Sequence, residues 1–458
     1  MVFSEVDSPI ANLVQQGTNL RPDVTIQHDS THPDPFLAVQ QTVTALCDLP
    51  HPIVAIVPGA ETGVELADVL SARLGTRSNG EALSAARRNK YLMGEAVRAA
   101  GVRAARQAMV HSREEVDEFL AEWTPDPFMA VVKPLDSAGS DGVTLCRSAD
   151  EVRAAFALID GQVNGLGSVN DGALVMEYLD GTEYVIDSVS RDGVHKVCAI
   201  WEYDKRSVNG ANFVYFGMQL RTTEGTREKE LVAYARSVLD AMGIEHGPGH
   251  MEVKYTSMGP CLVEVGSRCH GGEGTWQPIA QECLGYNQID AALDAYIRPD
   301  EFDKVPPEPT KLRKEGREVF LVARRAGRVH SVPGVDVIRS LPSFRTLEMS
   351  AQPGSLLRPT TDCFTRPGSV QLVNESAEAL LADYEAIRSL EESGLFDLVG
   401  GDEGGEDSAT AGGAAAEAPT PTATPPLPPP PAKPMSPVIE AAVDEEGGRK
   451  KRFHPVLF

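Results

Sequence analysis

The sequence predicts an α/β fold of two or three domains, followed by a tail that builds no core. Three observations lead there. Short apolar runs of strand length alternate with helix-length segments whose apolar residues recur at helical spacing. A length of 458 residues, 42% of them hydrophobic, is enough for more than one buried core. From about Gly400 the composition turns to Gly, Ala, Glu, Thr and Pro, with PPLPPPPAKP near residue 430, and such a segment buries too little to fold.

Taken in order, residues 1–50 show little beyond a helix-like Ile10–Gln16. Ile53–Val57 reads as a short buried strand, closed by Pro58-Gly59 and followed by a helix over Glu61–Leu74. A second helix is expected over Ser84–Ala100, stopped by Gly101. Phe128–Val132 is a strand, Asp136–Gly142 (DSAGSDG) a small-residue loop and Glu151–Ile159 a helix. Leu174–Tyr178 and Glu183–Val189 are strands joined through Asp180-Gly181, and Glu228–Met242 is a helix. His250–Tyr255 and Cys261–Val265 flank the turn Ser257-Met258-Gly259-Pro260. Beyond Arg298 an α/β stretch ends in a helix over Ala377–Leu390.

Bulk chemistry narrows the class. A formal charge of −24 argues against nucleic acid, whose phosphates would be repelled. Seven scattered cysteines without CxxC spacing fit reduced thiols in a cytoplasmic compartment better than a disulfide framework. The opening residues lack a basic segment followed by an apolar one, and no apolar run reaches membrane-spanning length, so a soluble protein without membrane partners is expected.

The strongest chemical signal is HMEVKYTSMGPCLVEVGSR, residues 250–268. A turn centred near Met258 sets Glu252 and Glu264 opposite each other on one face of an antiparallel pair, with Cβ atoms about 5 Å apart. Like charges that close need an offset. A hard divalent cation with oxygen ligands would supply it, while a solvent-facing acidic hairpin is the plainer alternative. Arg268 adds a guanidinium suited to phosphate or carboxylate. Lys133, at the end of an apolar strand and before a Gly/Ser loop, suits a polyphosphate, although an ordinary surface turn fits as well. Lys90 in ARRNKYLM is equally ambiguous alone. In MEYLDGTEY, the main chain of Glu177–Leu179 could pair with a purine edge and Glu183 with ribose hydroxyls, or the segment is a plain turn between strands.

Read in order from about Val54 to Leu395, GAETGVELAD, RRNKYLM…AAGV, VVKPLDSAGSDGV, MEYLDGTEY, HMEVKYTSMGPCLVEVGSR and the following CHGG resemble the ATP-grasp superfamily, in its L-amino-acid ligase and carnosine-synthase-like branch. The resemblance implies ATP bound between two α+β lobes. It implies a partial N-terminal domain over residues 1–83, an ATP-grasp domain over 84–300 with its small lobe at about 88–175 and large lobe at about 176–300, a C-terminal α/β part over 301–398, and a disordered acidic, Pro-rich tail over 399–458. Lys90 and Lys133 would hold the α/β phosphates under the Asp136–Gly142 loop, which includes Ser137 and Gly139. Glu177, Tyr178 and Leu179 would form the adenine hinge, with Glu183 on the ribose. Glu252 and Glu264 would ligate Mg²⁺ or Mn²⁺, and Arg268 would contact the γ-phosphate and the reacting carboxylate. WEYDKRSVNG, residues 201–210, corresponds to the family's mobile large loop, from which Lys205 or Arg206 would reach the transferred phosphate. His270, Gly271, Gly272 and Trp276 would shape the acceptor pocket. Cys269 and His270, as sequence neighbours, point apart and form no thiol–imidazole pair. The implied reaction joins a carboxylate to an amine, both small molecules of amino-acid type, through an acyl phosphate. A homodimer is also implied.

Two departures bear on this reading. Where many family members have Asn two residues after the second metal acid, this chain has Gly266, and the segment before Val54 lacks a clear first βα unit. A phosphotransferase on the same fold and a nucleotide-binding scaffold without turnover are the alternatives. The ordered set Lys133, Glu252, Glu264 and Arg268 weighs against the scaffold.

Overall fold

A computed structural model describes residues 2–3, 23–137 and 139–399. The helix expected at Ile10–Gln16, Ala138 of the small-residue loop and the tail from residue 400 lie outside the described residues. The chain opens with β1 (Val2–Phe3) paired in parallel with β2 (Ile26–Gln27). α1 (Pro35–Cys47) starts where the Asp34 carboxylate accepts from the amides of Phe36 and Leu37, with Pro35 at the first helical position. The strand expected at Ile53–Val57 does not form. No described strand lies alongside to pair with it, and Val54 and Val57 are exposed. α2 (Val64–Leu74) follows a 3-10 turn at Glu61–Gly63 and ends at Gly75 in the left-handed region. The helix expected over Ser84–Ala100 is shorter, because Asn89 caps α3 (Lys90–Ala99) by accepting from Tyr91 and Leu92, leaving 84–88 as turns.

β3 (Gln107–Val110), α4 (Arg113–Glu122), β4 (Ala130–Lys133), β5 (Thr144–Cys146), α5 (Ala149–Ile159) and β6 (Ala173–Glu177) form the first large layer pair. The four strands run antiparallel in the order β3-β6-β4-β5. Their alternation divides the sheet cleanly. Val110, Ala130, Val132 and Val175 pack against α4 and α5, whereas Val131, Leu174 and Met176 face the other way, towards Val263 and Leu179.

The second sheet is built from β7 (Gly181–Arg191), β8 (Val194–Val208), β9 (Ala211–Arg221), α6 (Thr226–Ala241), β10 (Gly247–Thr256) and β11 (Gly259–Gly266). α7 (Gln277–Leu284), α8 (Gln288–Ile297) and α9 (Pro299–Lys304) follow it in sequence. β12 (Glu315–Phe320), β13 (Gly327–Ser331), α10 (Gly334–Arg339), β14 (Phe344–Met349), β15 (Leu356–Leu357), β16 (Gly368–Asn374), α11 (Ala377–Ser393) and β17 (Asp397–Val399) complete the described chain. The eight-stranded order is β11-β10-β7-β8-β9-β12-β16-β14, so the C-terminal strands extend the central sheet, and β15-β13-β17 make a small third one. On one face Tyr184, Ile186, Met251 and Val253 pack under α6 and α3. On the other, Val185 and Trp201 meet α7. The stretch expected as a large loop, residues 201–210, is instead the second half of β8 and its turn into β9, with Lys205 paired to Tyr215 and Arg206 to Val214.

One buried cation ties the N-terminal part to this frame. Arg87 is fully buried, donates from Nε to Asp68 Oδ2 at 3.0 Å and from Nη1 to the carbonyl of Met242 at 2.9 Å, and reaches the carbonyls of Asn79 and Gly80. Arg87→Met keeps the volume but strands the Asp68 carboxylate in the interior. It is expected to lower unfolding stability by about 3–5 kcal/mol, read as a lower midpoint in urea denaturation.

Candidate active site

A cavity opens where the two sheets face each other. Val131, Lys133 and Met176 line it from the smaller sheet, Tyr178 and Leu179 from the connection, and Glu183, Lys205, Tyr215, Glu252, Lys254 and Glu264 from the larger one. Ser137, Gly139, Ser140 and Asp141 close one side. The residues expected to hold a nucleotide therefore converge, including Lys90, Lys133, Ser137, Gly139 and Glu177 to Leu179. Glu177 is anchored twice to Arg106: its amide donates to the Arg106 carbonyl at 2.9 Å, and its carboxylate accepts from the Arg106 amide at 3.1 Å.

The hairpin register is the one expected, with Glu252 directly opposite Glu264 across β10–β11. Both face the cavity, and a bulge between Glu252 and Val253 sets this pairing, since the register of the turn alone would place Val263 opposite Glu252. Their surroundings split them. Burial alone would raise Glu264, but Lys90 at 3.0 Å and nearby Lys133 hold it well below the usual carboxylate range. Glu252 is pushed up by burial, and Glu183 and Glu264 add to the rise against the pull of Lys205 at 3.7 Å. Lys133 is nearly enclosed, and burial, with Lys90 alongside, draws its ammonium down to about 8.

Glu183, expected on the ribose, is bound by two lysines. Lys205 pairs with one of its oxygens, and Lys254 with the other at 3.2 Å. Lys205 stands between the rings of Tyr203 and Tyr215, at 4.8 and 4.1 Å. Lys254 carried no sequence signal, since its neighbour across the strands, Glu183, is 71 positions away in the chain and is fixed only by the β7–β10 pairing.

Arg268 lies outside this lining. Its Nε donates to Glu61 Oε2 at 2.7 Å, and Arg88 donates to Glu61 Oε1 at 2.8 Å. Gly266 makes room for that clamp, because a Cβ there would stand 2.7 Å from Glu61 Oε2. Where the family pattern has an amide side chain, this chain places a carboxylate from the N-terminal part. His270 donates from its amide to Gln288 and holds Asp187 Oδ2 through Nδ1 at 2.9 Å, with its ring stacked on Trp276. Trp276 is fully buried and stands behind His270, whereas Gly271 and Gly272 are exposed. Cys269 packs among Ala291, Ala292 and Ala295, apart from the His270 ring stack.

Gly266→Ala is expected to displace Glu61 from Arg268 and to cost about 1–3 kcal/mol of unfolding stability. Adding Glu61→Ala should remove most of the extra cost. A double-mutant cycle by thermal or urea unfolding measures the coupling, and simple additivity would show that the two positions do not compete for space.

Residues 126–277 match the ATP-grasp domain family, and residues 319–390 match the L-amino acid ligase C-terminal domain 2. Dapdiamide A synthase of Enterobacter agglomerans is 32% identical over 345 residues, covering 75% of this chain and 80% of that protein. Carnosine synthase 1 of Gallus gallus is 30% identical over 153 residues, 32% of this chain and 16% of the relative. The L-amino acid ligase of Bacillus licheniformis shares the fold at a TM-score of 0.63 and 18% identity, over 80% of this chain and 86% of that one. A cavity between two antiparallel sheets, floored by opposed acids and walled by lysines, together with a relative similar over most of both chains, leads to one conclusion: the chain belongs to the ATP-grasp superfamily, in its amino-acid-ligase branch of carboxylate–amine ligases.

Proposed function

We propose that this protein joins a small carboxylate, of amino-acid type, to an amine in an ATP- and Mg²⁺-dependent reaction that passes through an acyl phosphate and releases ADP and phosphate. The observation that carries the reading is the opposed pair Glu252–Glu264, buried among Lys90, Lys133 and Lys205 at the floor of the cavity. A donor set of two carboxylates facing one space fits a hard divalent cation. When bound, Mg²⁺ ligated by Glu252 and Glu264 offsets phosphate charge as the γ-phosphoryl group transfers.

The remaining roles belong to the chain's own side chains. Tyr178 and Leu179 offer main-chain groups to the adenine edge. Lys90 and Lys133 neutralise phosphate charge, and the glycines of the 136–142 loop let the backbone approach it. Lys90, paired with Glu264, and Lys205, near Glu252, are the counter-ions that would turn to phosphate once the two acids held a metal. Glu183 is then left to Lys254 and the ribose. Arg268, aimed by Glu61, meets the carboxylate that attacks the γ-phosphate, and the amine enters on the side of Gly271 and Gly272. Residues 84–300 form the catalytic domain in this scheme, 301–398 complete its sheet, and two chains form a dimer.

ADP release, assayed over pairs of amino acids, tests the proposal. Turnover that needs an acid, an amine and Mg²⁺ together, and that falls at least about 100-fold in Glu264→Gln, is the expected outcome. A stable phosphorylated product formed without an amine would make the protein a phosphotransferase.

A further inference from the structure

A second group of polar side chains lies on the cavity face of the large sheet, one step beyond the opposed acids. Residues of like parity on β7 and β10 pair in three successive rows: Glu183 with Lys254, Val185 with Glu252, and Asp187 with His250. Successive rows are about 7 Å apart. The first row lies beside the adenine hinge and the second holds the opposed acids. The third lies one row past the opposed acids on the same face, just beyond the residues that line the cavity itself.

That row has an unusual charge state. Asp187 is fully buried and has no Lys or Arg partner among the described residues, although Glu183, Glu252 and Glu264 each lie within 4 Å of a lysine. Its Oδ1 meets His250 Nδ1 at 3.0 Å, and its Oδ2 meets His270 Nδ1 and Trp201 Nε1 at 2.9 Å each. Burial would raise this carboxyl, but His270 first, by charge and hydrogen bond, and then His250 hold it well below the usual range, and it accepts from both imidazoles and from the indole. In the neutral ring of His270 the hydrogen then sits on Nδ1 and Nε2 is an acceptor. Burial also keeps His270 below its ordinary range, hence neutral at neutral pH.

His270 is held from every side but one. Its amide is bound by Gln288, one ring face lies on Trp276, His250 lies 4.3 Å away centre to centre, and its side chain is 7% exposed. Among the described residues no hydrogen bond closes on its Nε2, and that nitrogen is not one of the sealed polar atoms lacking a partner. Asp187, His250 and His270 bring donor atoms within 4.8 Å of one another, as a metal site would, but their contacts as placed are those of hydrogen bonds. Ligands around a tetrahedral ion with bonds of about 2.0–2.1 Å stand roughly 3.3 Å apart or more, and the donor atoms here sit at hydrogen-bonding distances.

We propose that His270 is the base that accepts the proton of the incoming ammonium, and that Asp187 is the positioning residue that fixes its tautomer. The inference rests on the amide-forming reading above. The ammonium loses one proton to His270 Nε2. The freed lone pair forms the C–N bond to the acyl carbon, the C–O bond to phosphate breaks, and the second nitrogen proton leaves with the phosphate. Asp187 gains no proton. Its unpaired negative charge favours an ammonium over an anion at this end of the site.

The test compares two acceptors on the same acid. Hydroxylamine is a far weaker base than an amino acid's amine and is already neutral at neutral pH, so it captures an acyl phosphate without a base. His270→Gln is expected to slow amide formation with an amino-acid acceptor by about 10²–10³-fold while keeping hydroxamate formation within about threefold of wild type. Asp187→Asn should show the same selective loss, with the loss growing along a series of amines of rising basicity. Parallel loss with both acceptors, or no loss with either, overturns the proposal. So does a stoichiometric transition metal in the purified protein that disappears in both variants. Wild-type protein that forms neither hydroxamate nor amide would instead defeat the ligase reading itself.

Discussion

Everything at this site follows from placing two like charges opposite each other in the interior. Glu252 and Glu264 are brought together by the β10–β11 register, where Glu252 is buried and Glu264 half-buried, so water screens them poorly. Without an ion, the protein offsets them with its own lysines, and unequally: Lys90 sits on Glu264, whereas Lys205 reaches Glu252 only after pairing with Glu183. One acid is held ionised and the other is driven towards neutrality, as two carboxylates sharing a site require. The lysines drawn in to relieve the acids are the groups a triphosphate needs. The same imbalance therefore prepares the cavity for a metal and for the anion that comes with it.

The N-terminal part enters the site through a different electrostatic contact. Glu61 reaches Arg268 across 207 positions of sequence, and Arg88 holds the other carboxylate oxygen. Arg87, one residue away, anchors the same turn to Asp68 and to the end of α6. Neighbouring arginines on one turn thus serve opposite ends of a structural chain, one fixing the segment and the other fixing the acid that fixes Arg268. Gly266 belongs to this arrangement, since its missing side chain is the space Glu61 fills.

How much of this was legible depends on how local each determinant is. The acidic hairpin could be read because Ser257-Met258-Gly259-Pro260 marks the turn, although the turn closes between Thr256 and Gly259 and a bulge beyond Val253 restores Glu252 opposite Glu264. Lys133 and the 136–142 loop could be read from a strand end followed by small residues. Residues 201–210 were expected as a loop from the family resemblance, and the sequence offered little against it because both faces of β8 are polar beyond Trp201. Lys205 lines a charged cavity and lies over the Tyr203 ring, while Glu202, Asp204 and Arg206 bond to Arg221, Tyr384 and each other. Ile53–Val57 failed the other way, since apolar composition suggests a strand but only a neighbour can pair with it. The partners of Glu183 and the whole Asp187 cluster were invisible. Each joins elements about 14 to 83 positions apart, and nothing in one segment announces the other.

The spacing of the sheet also explains how two incompatible chemistries share one face. Phosphate binding needs ammonium groups that stay charged, and a nearby lysine would repel an incoming ammonium nucleophile. A step of two residues along β7 and β10, about 7 Å, separates the lysine-rich rows from Asp187. Val185, which carries no charge, occupies the β7 position between Glu183 and Asp187. At the far row no Lys or Arg among the described residues pairs with Asp187, whose partners are two imidazoles and an indole. The Asp187 carboxylate raises the readiness of the His270 imidazole to take a proton, against the burial that keeps it below its ordinary range. Replacing Val185 with a basic residue would bring a cation to the boundary and merge two environments that the pleat keeps apart.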